Sequence, residues 1–474
     1  MKEKVFPCTV AKKCGGCQLT NMTYEEQLSF KQAKVIKLLG RFCRVDRIIG
    51  MKEPYHYRNK VQAAFGRTRS GMIISGVYQS STHNIVKVDS CYIEDKKADE
   101  IIVTVRELLK SFHLTVFDDR TGKGFLRHVL VKRAFGTGEI MVVLVTGTPI
   151  FKSKNDFCRA LRKVHPEITT IVQNVNNSFT SLVLGEKEFV LYGDGYITDE
   201  LLGFRFRISP KSFYQINYEG TKLLYSKAMQ FADISKEDRV IDAYSGVGTI
   251  GIIASQYAKE VISVELNRDA VRDARINAAI NNIENIRFFC ADATEFLLAA
   301  AEENEKIDVV LMDPPRAGST VEFMKSVCTL APEKVVYISC NPETLARDLT
   351  FFTKNGYKVK KIQPVDMFPH TNHVETVVLL SQRRPDTHID IKLDLSELDI
   401  TAAETKATYQ EIKDYVLEKH GLKVSSLYIS QVKAKCGIIE RENYNKGKEG
   451  HRVPKCPKEK EEAIMDALKH FNMI

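Results

Sequence analysis

The stretch VIDAYSGVGTIG, residues 240–251, decides the fold of this 474-residue chain. A short apolar strand leads directly into a turn with glycine at positions 246, 248 and 251, and a helical pattern follows the turn. Glycines in such a turn allow a tight bend and let a ligand approach the backbone at the end of a strand. The stretch therefore predicts the first strand–turn–helix unit of an open α/β sheet, with a nucleotide-type site at its carboxyl edge.

Apolar strands alternate with helical patterns throughout residues 205–384. This rhythm is typical of parallel βαβ units, and it predicts a doubly wound, Rossmann-like sheet. The predicted strands are Val240-Ile241, Val261–Val264, Ile286–Phe288, Val309–Leu311, Val335–Ile338 and Val374–Leu380.

Residues 1–204, which precede this domain, are interpreted as an α+β region. A helix is predicted over Tyr24–Leu39, where apolar residues recur at helix spacing. Short strands are predicted after it, for example Val61–Phe65 and Glu139–Val145, and glycine-rich turns separate them.

Residues 385–474 are interpreted as a helical extension. An acidic linker, Asp386–Ile400, comes first, and two amphipathic helices, Thr408–Lys419 and Ser425–Cys436, follow it. The pair of helices predicts either a helix–turn–helix or a paired-helix packing module.

The composition predicts a cytoplasmic protein. No apolar run approaches the ~18 residues of a membrane span, and the first residues lack the apolar segment of a signal peptide. The eleven cysteines are an odd number in a long chain, so a disulfide framework is not expected. Their clustering favours metal binding or catalysis.

The net charge of +9 is concentrated at one end of the chain. Residues 1–70 carry 15 Lys and Arg against 5 Asp and Glu, while the remaining residues carry 54 basic and 55 acidic side chains. A basic region beside a near-neutral domain favours a polyanionic partner such as RNA. A merely solvated basic face is the alternative interpretation.

Acidic residues end or follow several predicted strands: Asp242, Glu265, Asp292 and Asp313. Glu265 lies about 20 residues beyond the glycine turn, where a carboxylate can accept hydrogen bonds from ribose hydroxyls. The other acids suit a cofactor with an ammonium group and an exocyclic amine, and they would repel a pyrophosphate. The pattern therefore favours S-adenosylmethionine, and an NAD site is the alternative.

Cys340 lies in a Cys-Asn-Pro turn at the end of one predicted strand, and Glu375 lies at the start of the next. C5 of uracil is a poor nucleophile until a thiolate adds to C6, and a base must afterwards remove the C5 proton so that the thiol can leave. This scheme needs one cysteine and one carboxylate or similar base, which Cys340 and Glu375 can supply. A buried structural thiol and a surface carboxylate are the alternatives.

Several motifs in this chain resemble those of the bacterial RNA uracil-5 methyltransferases, over roughly residues 5–382. Within that family the chain is most similar to the 23S ribosomal RNA branch. Its turn at Asp242–Gly246 departs from the Asp-Leu-Phe-Cys-Gly that is common there, but it keeps an aromatic residue. Cytosine-5 enzymes use two cysteines near the pocket, and Asp313–Arg316 lacks the second one, so uracil is favoured. The motifs are Ser212–Asn217, Asp313–Arg316, Cys340–Pro342 and His373–Glu375.

The resemblance implies a role for each matching residue. Cys340 is expected to be the nucleophile and Glu375 the base. The residues expected to bind S-adenosylmethionine are Gln215, Tyr244, Glu265 and Asp313, with Thr249 and Asp292 as secondary contacts.

Three closely spaced cysteines, Cys8, Cys14 and Cys17, and the distant Cys91 supply four thiols. Such spacing fits a four-sulfur site, but it does not separate structural zinc from a [4Fe-4S] cluster. The ribosomal RNA branch of the resembled family has the same pattern and holds a [4Fe-4S] cluster. The resemblance therefore implies an iron–sulfur cluster and a 23S ribosomal RNA substrate, either free or in a large-subunit assembly intermediate.

Members of the resembled family commonly begin with a β-barrel RNA-binding domain, and we expect it to be absent because seven residues precede Cys8. A basic stretch of the C-terminal extension, with interleaved tyrosines, is the candidate replacement for RNA contact, and a packing module is the alternative. The residues of this basic stretch are Tyr428, Lys433, Lys435, Arg441, Tyr444, Lys446, Lys448 and Arg452.

Taken together, these patterns predict a monomeric uracil-5 methyltransferase without membrane attachment. The same chemistry on transfer RNA is one alternative. A non-catalytic RNA-binding assembly factor and an NAD-linked oxidoreductase with an iron–sulfur centre are the others.

Overall fold

The computed structural model describes residues 8–80, 82, 84–178, 182–382, 409–436, 456–471 and 473. The predicted acidic linker and part of the basic stretch lie outside the described residues: Asp386–Ile400, Arg441, Tyr444, Lys446, Lys448 and Arg452. The chain divides into two compact units, Met1–Arg384 and Pro385–Ile474. No helix in the described part of the chain is long and apolar enough to span a membrane.

The described residues of the first unit form ten helices. They are α1 Ala11–Cys14, α2 Tyr24–Leu39, α3 Lys96–Ser111, α4 Lys154–Val164, α5 Tyr218–Ala232, α6 Thr249–Ser255, α7 Arg268–Ile280, α8 Ala293–Glu302, α9 Val321–Leu330 and α10 Pro342–Lys354.

The strands of the described residues all belong to the same unit. They are β1 Lys60–Arg67, β2 Ile73–Tyr78, β3 Ile85–Lys87, β4 Leu126–Arg133, β5 Ile140–Thr146, β6 Ile168–Val175, β7 Lys187–Tyr192, β8 Ile197–Leu201, β9 Phe204–Ile208, β10 Arg239–Ala243, β11 Glu260–Glu265, β12 Ile286–Cys290, β13 Val309–Met312, β14 Lys334–Ser339, β15 Tyr357–Val365 and β16 Glu375–Gln382.

The first sheet has seven strands in the order β3-β2-β1-β4-β5-β6-β7. Its pairs are antiparallel except for β5 and β6, which are parallel. Helices α3 and α4 cover one face, and their apolar side chains share a core with the sheet. The α+β character predicted for this region is therefore present.

The second sheet has seven strands in the order β12-β11-β10-β13-β14-β16-β15. Its first five strands pair in parallel, as predicted, but β16 is antiparallel to both of its neighbours. Successive residues of a strand enter two different cores: Val309 and Leu311 belong to one, and Val310 and Met312 to the other. The sheet is thus buried on both faces, which explains its nearly continuous apolar strands.

Strand β15 is not among the strands predicted from the sequence. Its residues Lys358, Lys360 and Lys361 are exposed, and the pairing register shifts between Val359 and Lys361. Lysines are common on edge strands, where they discourage pairing with other chains, and a bulge interrupts the two-residue periodicity on which the prediction relies.

The second unit contains three helices among its described residues: α11 Tyr409–His420, α12 Ser426–Lys435 and α13 Lys458–His470. The first two match the predicted pair to within about two residues. Helix α13 was not predicted, although Ala463, Ile464, Ala467 and Leu468 recur at helix spacing and share one small core with the other two helices. A three-helix packing module therefore describes this unit better than a helix pair.

Helix α2 anchors the loop between β15 and β16. Thr23 and Glu26 form a capping box at its first turn. On its buried face the Lys31 ammonium lies 2.6 Å from a carboxylate oxygen of Asp366, and both side chains are fully buried. Lys31 also donates to the carbonyl oxygen of Phe368. This ion pair links residues that are far apart in the sequence.

We expect Lys31→Ala to lower the free energy of unfolding by about 3–5 kcal/mol, because the change leaves the Asp366 carboxylate buried without its partner. Urea unfolding of the full chain measures the loss. Lys34→Ala on the same helix is the matched control, because its pair with Glu343 is partly exposed, and a cost of about 0–1 kcal/mol is expected. Equal losses in the two variants would contradict the assigned importance of the buried pair.

Candidate active site

A cavity of about 720 Å³ lies at the carboxyl edge of the second sheet. The edge carries the turn after β10, the last residue of β11 and the loops after β13 and β14. Because β16 runs antiparallel, its first residue, Glu375, lies at this same edge. Seven of the residues selected from the sequence line the cavity: Gln215, Tyr244, Thr249, Glu265, Asp313, Cys340 and Glu375.

Asp292, the remaining predicted contact, is not among the residues that line this cavity. Its carboxylate caps α8, where it accepts hydrogen bonds from the backbone N–H groups of Thr294 and Glu295. An acid between a strand and a helix can cap the helix instead of binding a ligand, and the spacing of acids in the sequence does not distinguish these two roles.

The glycine turn shapes the floor of the cavity. Gly246 and Gly248 have positive φ angles of 55° and 82°, and Tyr244 is a non-glycine residue at 63°. A side chain at Gly251 would place its Cβ 2.7 Å from a carboxylate oxygen of Asp242, which accepts a hydrogen bond from the Gly251 N–H. The glycines are therefore required by backbone geometry and by close packing.

Glu265 is held by the backbone at the wall of the cavity. One carboxylate oxygen accepts a hydrogen bond from the N–H of Gly246 at 3.0 Å, and the other accepts from the N–H of Asn267 at 2.8 Å. Each oxygen uses one lone pair in this way, so the carboxylate can still accept hydrogen bonds from a ligand with two neighbouring hydroxyls.

Three carboxyl groups are buried at the strand ends. Burial raises the pKa of Asp242 to about 7 and that of Asp313 to about 7. The pKa of Glu375 lies well above its ordinary value, first because of burial and then because of the nearby Asp313 charge, while Arg316 acts in the opposite direction. Buried acids of like charge favour a proton or a cationic ligand among them.

The Cys340 thiol projects from the turn between β14 and α10. Asn341 caps the helix by accepting the N–H of Glu343, and Pro342 occupies the first turn. Burial raises the pKa of the thiol to about 11, with further increases from Glu375 and Asp313 and a decrease from Arg316. The thiol therefore lies close enough to these three side chains for their charges to affect it.

The Asp313–Arg316 loop is fixed by the helix that follows Cys340. The buried Asp348 accepts hydrogen bonds from the N–H of Ser319 and from the hydroxyl of Tyr337. At the end of the loop, the Arg316 guanidinium lies 2.9 Å from Nδ1 of His373, which belongs to the β15–β16 loop. Asn341 and Thr344 of the turn and helix after Cys340 also donate to the carbonyl oxygen of Arg316, so α10 holds the end of this loop.

The loop that carries Gln215 is fixed by the first sheet. The Nζ of Lys132 donates to the carbonyl oxygens of Ser209 at 2.9 Å and Ser212 at 2.8 Å. Asn59 donates through its side chain to the carbonyl oxygen of Gln215. Burial lowers the pKa of Lys132 to about 7. A buried amine bound to two backbone carbonyls positions this loop.

The sequence matches the family described as tRNA (Uracil-5-)-methyltransferase over residues 23–383. The chain belongs to this family. It is 42% identical over 379 residues to an RNA methyltransferase of Clostridium tetani, which covers 79% of this chain and 82% of that one. It is 38% identical over 380 residues to an RNA methyltransferase of Staphylococcus aureus, which covers 79% and 84%.

Among solved structures, a similar one is the Pyrococcus abyssi tRNA (uracil-54, C5)-methyltransferase in complex with S-adenosyl-L-homocysteine. The TM-score is 0.65 at 29% identity, and the match covers 77% of this chain and 85% of that one. The predictions of a Rossmann-like methyltransferase fold and of an RNA (uracil-C5)-methyltransferase are confirmed. The second unit lies beyond the matched residues 23–383.

Neither Tyr225 nor Lys132 was selected from the sequence. Tyr225 lies on α5 and lines the cavity, and Lys132 lies on β4 beneath the Gln215 loop. Tyr225 lies in the buried stripe of α5 together with Thr221, Leu224 and Ala228. A tyrosine in such a stripe is usually interpreted as core, and its polar end gives the only sequence signal.

The four cysteines that were predicted to hold a metal are partly buried. Burial raises the pKa of Cys17 to about 11, and the charges of Cys14 and Cys8 contribute, so these three thiols lie near one another. Burial raises the pKa of Cys91 to about 12, and the next contribution comes from Glu94. Among the described residues, no three Cys, His, Asp or Glu side chains are arranged to hold a metal ion.

The raised pKa of Asp313 implies that the free energy of unfolding depends on pH. The folded state holds a proton up to about pH 7 that the unfolded state releases near its ordinary pKa of 3.8, so this carboxyl costs stability as the pH rises between these values. Asp313→Asn removes the titration. Relative to the wild type, the variant should therefore gain stability toward neutral pH, by at most about 1.4 kcal/mol per pH unit.

Urea unfolding of both proteins at about pH 5 and about pH 7.5 checks this expectation. Glu237→Gln, which alters an exposed carboxylate before β10, is the control, and its difference from the wild type should be the same at both pH values. A pH-independent difference for Asp313→Asn would contradict the assigned burial effect.

Proposed function

We propose that this enzyme transfers the methyl group of S-adenosylmethionine to C5 of a uridine in 23S ribosomal RNA, through a covalent bond between Cys340 and C6. We also propose that the protein is cytoplasmic and acts as a monomer. The observation that carries the chemistry is the convergence of the Cys340 thiol and the Glu375 carboxyl on one cavity, with Asp313 and Arg316 beside them.

The cavity fits the proposed cofactor. The Glu265 carboxylate retains acceptor sites for two ribose hydroxyls, and Tyr244 provides an aromatic wall. The carboxyls of Asp313 and Glu375 suit positive charge, because burial and then the charge of Asp313 raise the pKa of Glu375. When bound, S-adenosylmethionine supplies an electrophilic methyl group on a sulfonium cation.

The residues of the chain then have complementary roles. The Cys340 thiolate forms a bond to C6 of uracil, and C5 becomes nucleophilic enough to accept the methyl group. Glu375 removes the C5 proton, the bond between sulfur and C6 breaks, and the thiolate returns to Cys340. The cysteine and the glutamate thus act on neighbouring carbon atoms of one ring.

The target base has to leave its stack to reach a thiol inside a cavity, so we expect the uridine to be flipped out of the RNA. The argument for ribosomal RNA comes from the four cysteines, because their spacing resembles that of the 23S ribosomal RNA branch of the family. Transfer RNA is the second candidate, since the Pyrococcus abyssi relative is a tRNA (uracil-54, C5)-methyltransferase.

Methyl transfer from labelled S-adenosylmethionine to 23S ribosomal RNA and to bulk transfer RNA tests this function. Cys340→Ala should abolish labelling, and the label should lie in 5-methyluridine of the ribosomal RNA. Cys328→Ala is the matched control, because burial also raises the pKa of that thiol to about 11 while it lies outside the cavity. Label in transfer RNA alone would show that transfer RNA, and not ribosomal RNA, is the substrate. Label retained in Cys340→Ala would show that Cys340 is not the nucleophile.

Glu375→Gln should trap the covalent protein–RNA adduct, because the thiol cannot leave while the C5 proton remains. The expected result is a band that survives denaturing electrophoresis and turnover that falls by at least about 100-fold. Cys340→Ala combined with Glu375→Gln should remove the band. Wild-type turnover in Glu375→Gln would reject the assigned base.

We further propose that Cys8, Cys14, Cys17 and Cys91 hold a [4Fe-4S] cluster. The support is the residue types and not their arrangement, since the described side chains are not gathered around one metal position. Four thiols are present, and backbone N–H groups donate to two of them: Gly16 to Cys14, and Ile93 and Glu94 to Cys91. Hydrogen bonds of this kind stabilise thiolate ligands. The role proposed for the cluster is to fix a basic surface for RNA.

Anaerobically purified protein should contain about four iron atoms per chain and show the broad visible absorbance of iron–sulfur clusters. Cys14→Ala should lose both, whereas Cys43→Ala, which alters a partly buried cysteine outside the set, should keep them. If elemental analysis finds zinc in place of iron, the proposed cluster is wrong and the four cysteines form a structural zinc site.

A further inference from the structure

The loop between β15 and β16 contains a β-turn, Phe368–Thr371, which is closed by a hydrogen bond of 3.2 Å from the N–H of Thr371 to the carbonyl oxygen of Phe368. Pro369 occupies the second position of this turn, and His370 occupies the third with a φ angle of 68°. These are the features of a type II turn, whose third position is usually glycine because its φ is positive. Histidine at this position is strained, so contacts elsewhere must hold it.

The side chains on the two sides of this turn reach the cavity directly or through a partner. Phe368 lines the cavity, and its ring meets the ring of His373 edge to face, with the centroids 6.2 Å apart. Nδ1 of His373 lies 2.9 Å from the guanidinium of Arg316, which also lines the cavity. A guanidinium can only donate, so Nδ1 accepts. A change in the turn would therefore shift Phe368 and release Arg316 from its acceptor.

Gln27, a fully buried residue of α2, holds His370 through its side-chain amide. The amide oxygen accepts a hydrogen bond from the N–H of His370 at 2.8 Å, and the amide nitrogen lies 3.2 Å from Nδ1 of the ring. The backbone contact fixes the orientation of the amide, so its nitrogen donates and Nδ1 accepts. Burial lowers the pKa of His370 to about 4, so the ring is neutral and Nδ1 can accept.

The remaining contacts of His370 are with the N-terminal part of the chain. Its carbonyl oxygen accepts a hydrogen bond from the N–H of Leu19 at 3.1 Å, and its ring stacks on Tyr55 with the centroids 4.9 Å apart. Gln27 contacts both the backbone and the ring of His370, so its loss should free the turn. Strained residues that are fixed by their surroundings occur frequently at functional sites.

We propose that Gln27 is a positioning residue for methyl transfer: it holds His370 in the left-handed conformation, and the turn then keeps Phe368 and the Arg316–His373 pair in place at the cavity. The inference rests on the proposed function, in which the target uracil reacts inside this cavity. A displacement of about 1 Å at a reacting site can lower the rate about 100-fold, so the bonds of one buried amide protect the rate.

Gln27→Met keeps an unbranched side chain of similar size and removes both bonds to His370. The variant should lower kcat for methyl transfer to RNA by about 10- to 100-fold, because the turn no longer keeps its conformation. Its affinity for S-adenosylhomocysteine, measured by calorimetry, should equal that of the wild type, because Glu265 and Tyr244 lie on other loops.

Gln32→Met on the same helix is the matched control. The Gln32 amide also bonds backbone atoms, since it accepts from the N–H of Ile48 at 2.6 Å and donates to the carbonyl oxygen of Asp46 at 3.1 Å. These partners lie outside the β15–β16 loop, so the control should keep the wild-type kcat. Thermal unfolding of both variants shows whether either change has disturbed the fold.

Glycine at position 370 tests the role of the turn by rescue. Glycine adopts a positive φ without strain and alanine does not. Gln27→Met combined with His370→Gly should therefore have a kcat about tenfold higher than Gln27→Met combined with His370→Ala. If Gln27 served only to pack the core, the two double variants would be equally impaired, because both lack the imidazole ring.

The outcomes separate this inference from the proposed function. If the wild type methylates RNA, an equal kcat in Gln27→Met and Gln32→Met overturns the role of Gln27, and so does an equal kcat in the two double variants. If the wild type binds S-adenosylhomocysteine but methylates neither RNA, the proposed function is wrong, and the role of Gln27 in methyl transfer is rejected with it.

Discussion

The burial of several carboxyl groups at one edge of a sheet is the constraint on which the rest of the structure depends. Asp242, Asp313 and Glu375 lie where the strands end, and low polarity raises the pKa of each. Parallel strands bring such residues together because their carboxyl ends share one edge. The antiparallel β16 adds Glu375 from its amino end. The site therefore favours a positive charge among its carboxyls, and under the proposed function the cationic methyl donor supplies it.

The loops that carry these groups are held from elsewhere in the chain. The β15–β16 loop is tied to α2 through Lys31, and the Gln215 loop is tied to β4 through Lys132. The loop between β13 and α9 is tied to α10 through the bond between Asp348 and the N–H of Ser319. In each case a buried polar side chain bonds backbone or carboxylate atoms of the loop. Exposed loops cannot keep side chains within the tolerance that chemistry needs, and buried partners of this kind supply the missing rigidity.

Local signals in the sequence predicted the glycine turn, the parallel strands and seven residues that line the cavity, because each depends on a few neighbouring residues. The predictions were weaker where tertiary context decides. The edge strand β15 was not predicted because lysines interrupt its apolar pattern, and Asp292 caps a helix and does not line the cavity. Tyr225 and Lys132 gave almost no signal, because the sequence shows neither that a helix tyrosine lines a cavity nor that a strand lysine bonds backbone carbonyls.

The acids that favour a cation in the site also raise the pKa of the proposed nucleophile, Cys340. Burial and the charges of Glu375 and Asp313 raise the pKa of Cys340 to about 11, so the thiol is largely protonated at neutral pH. Arg316 offsets only part of this effect. A positive charge beside the carboxyls lowers the pKa of the thiol and of the carboxyls together. Under the proposed function, the cysteine therefore becomes a nucleophile chiefly when the cofactor is in place. Thiolates oxidise more readily than thiols, so under the same proposal the raised pKa of Cys340 also protects the empty enzyme from oxidation.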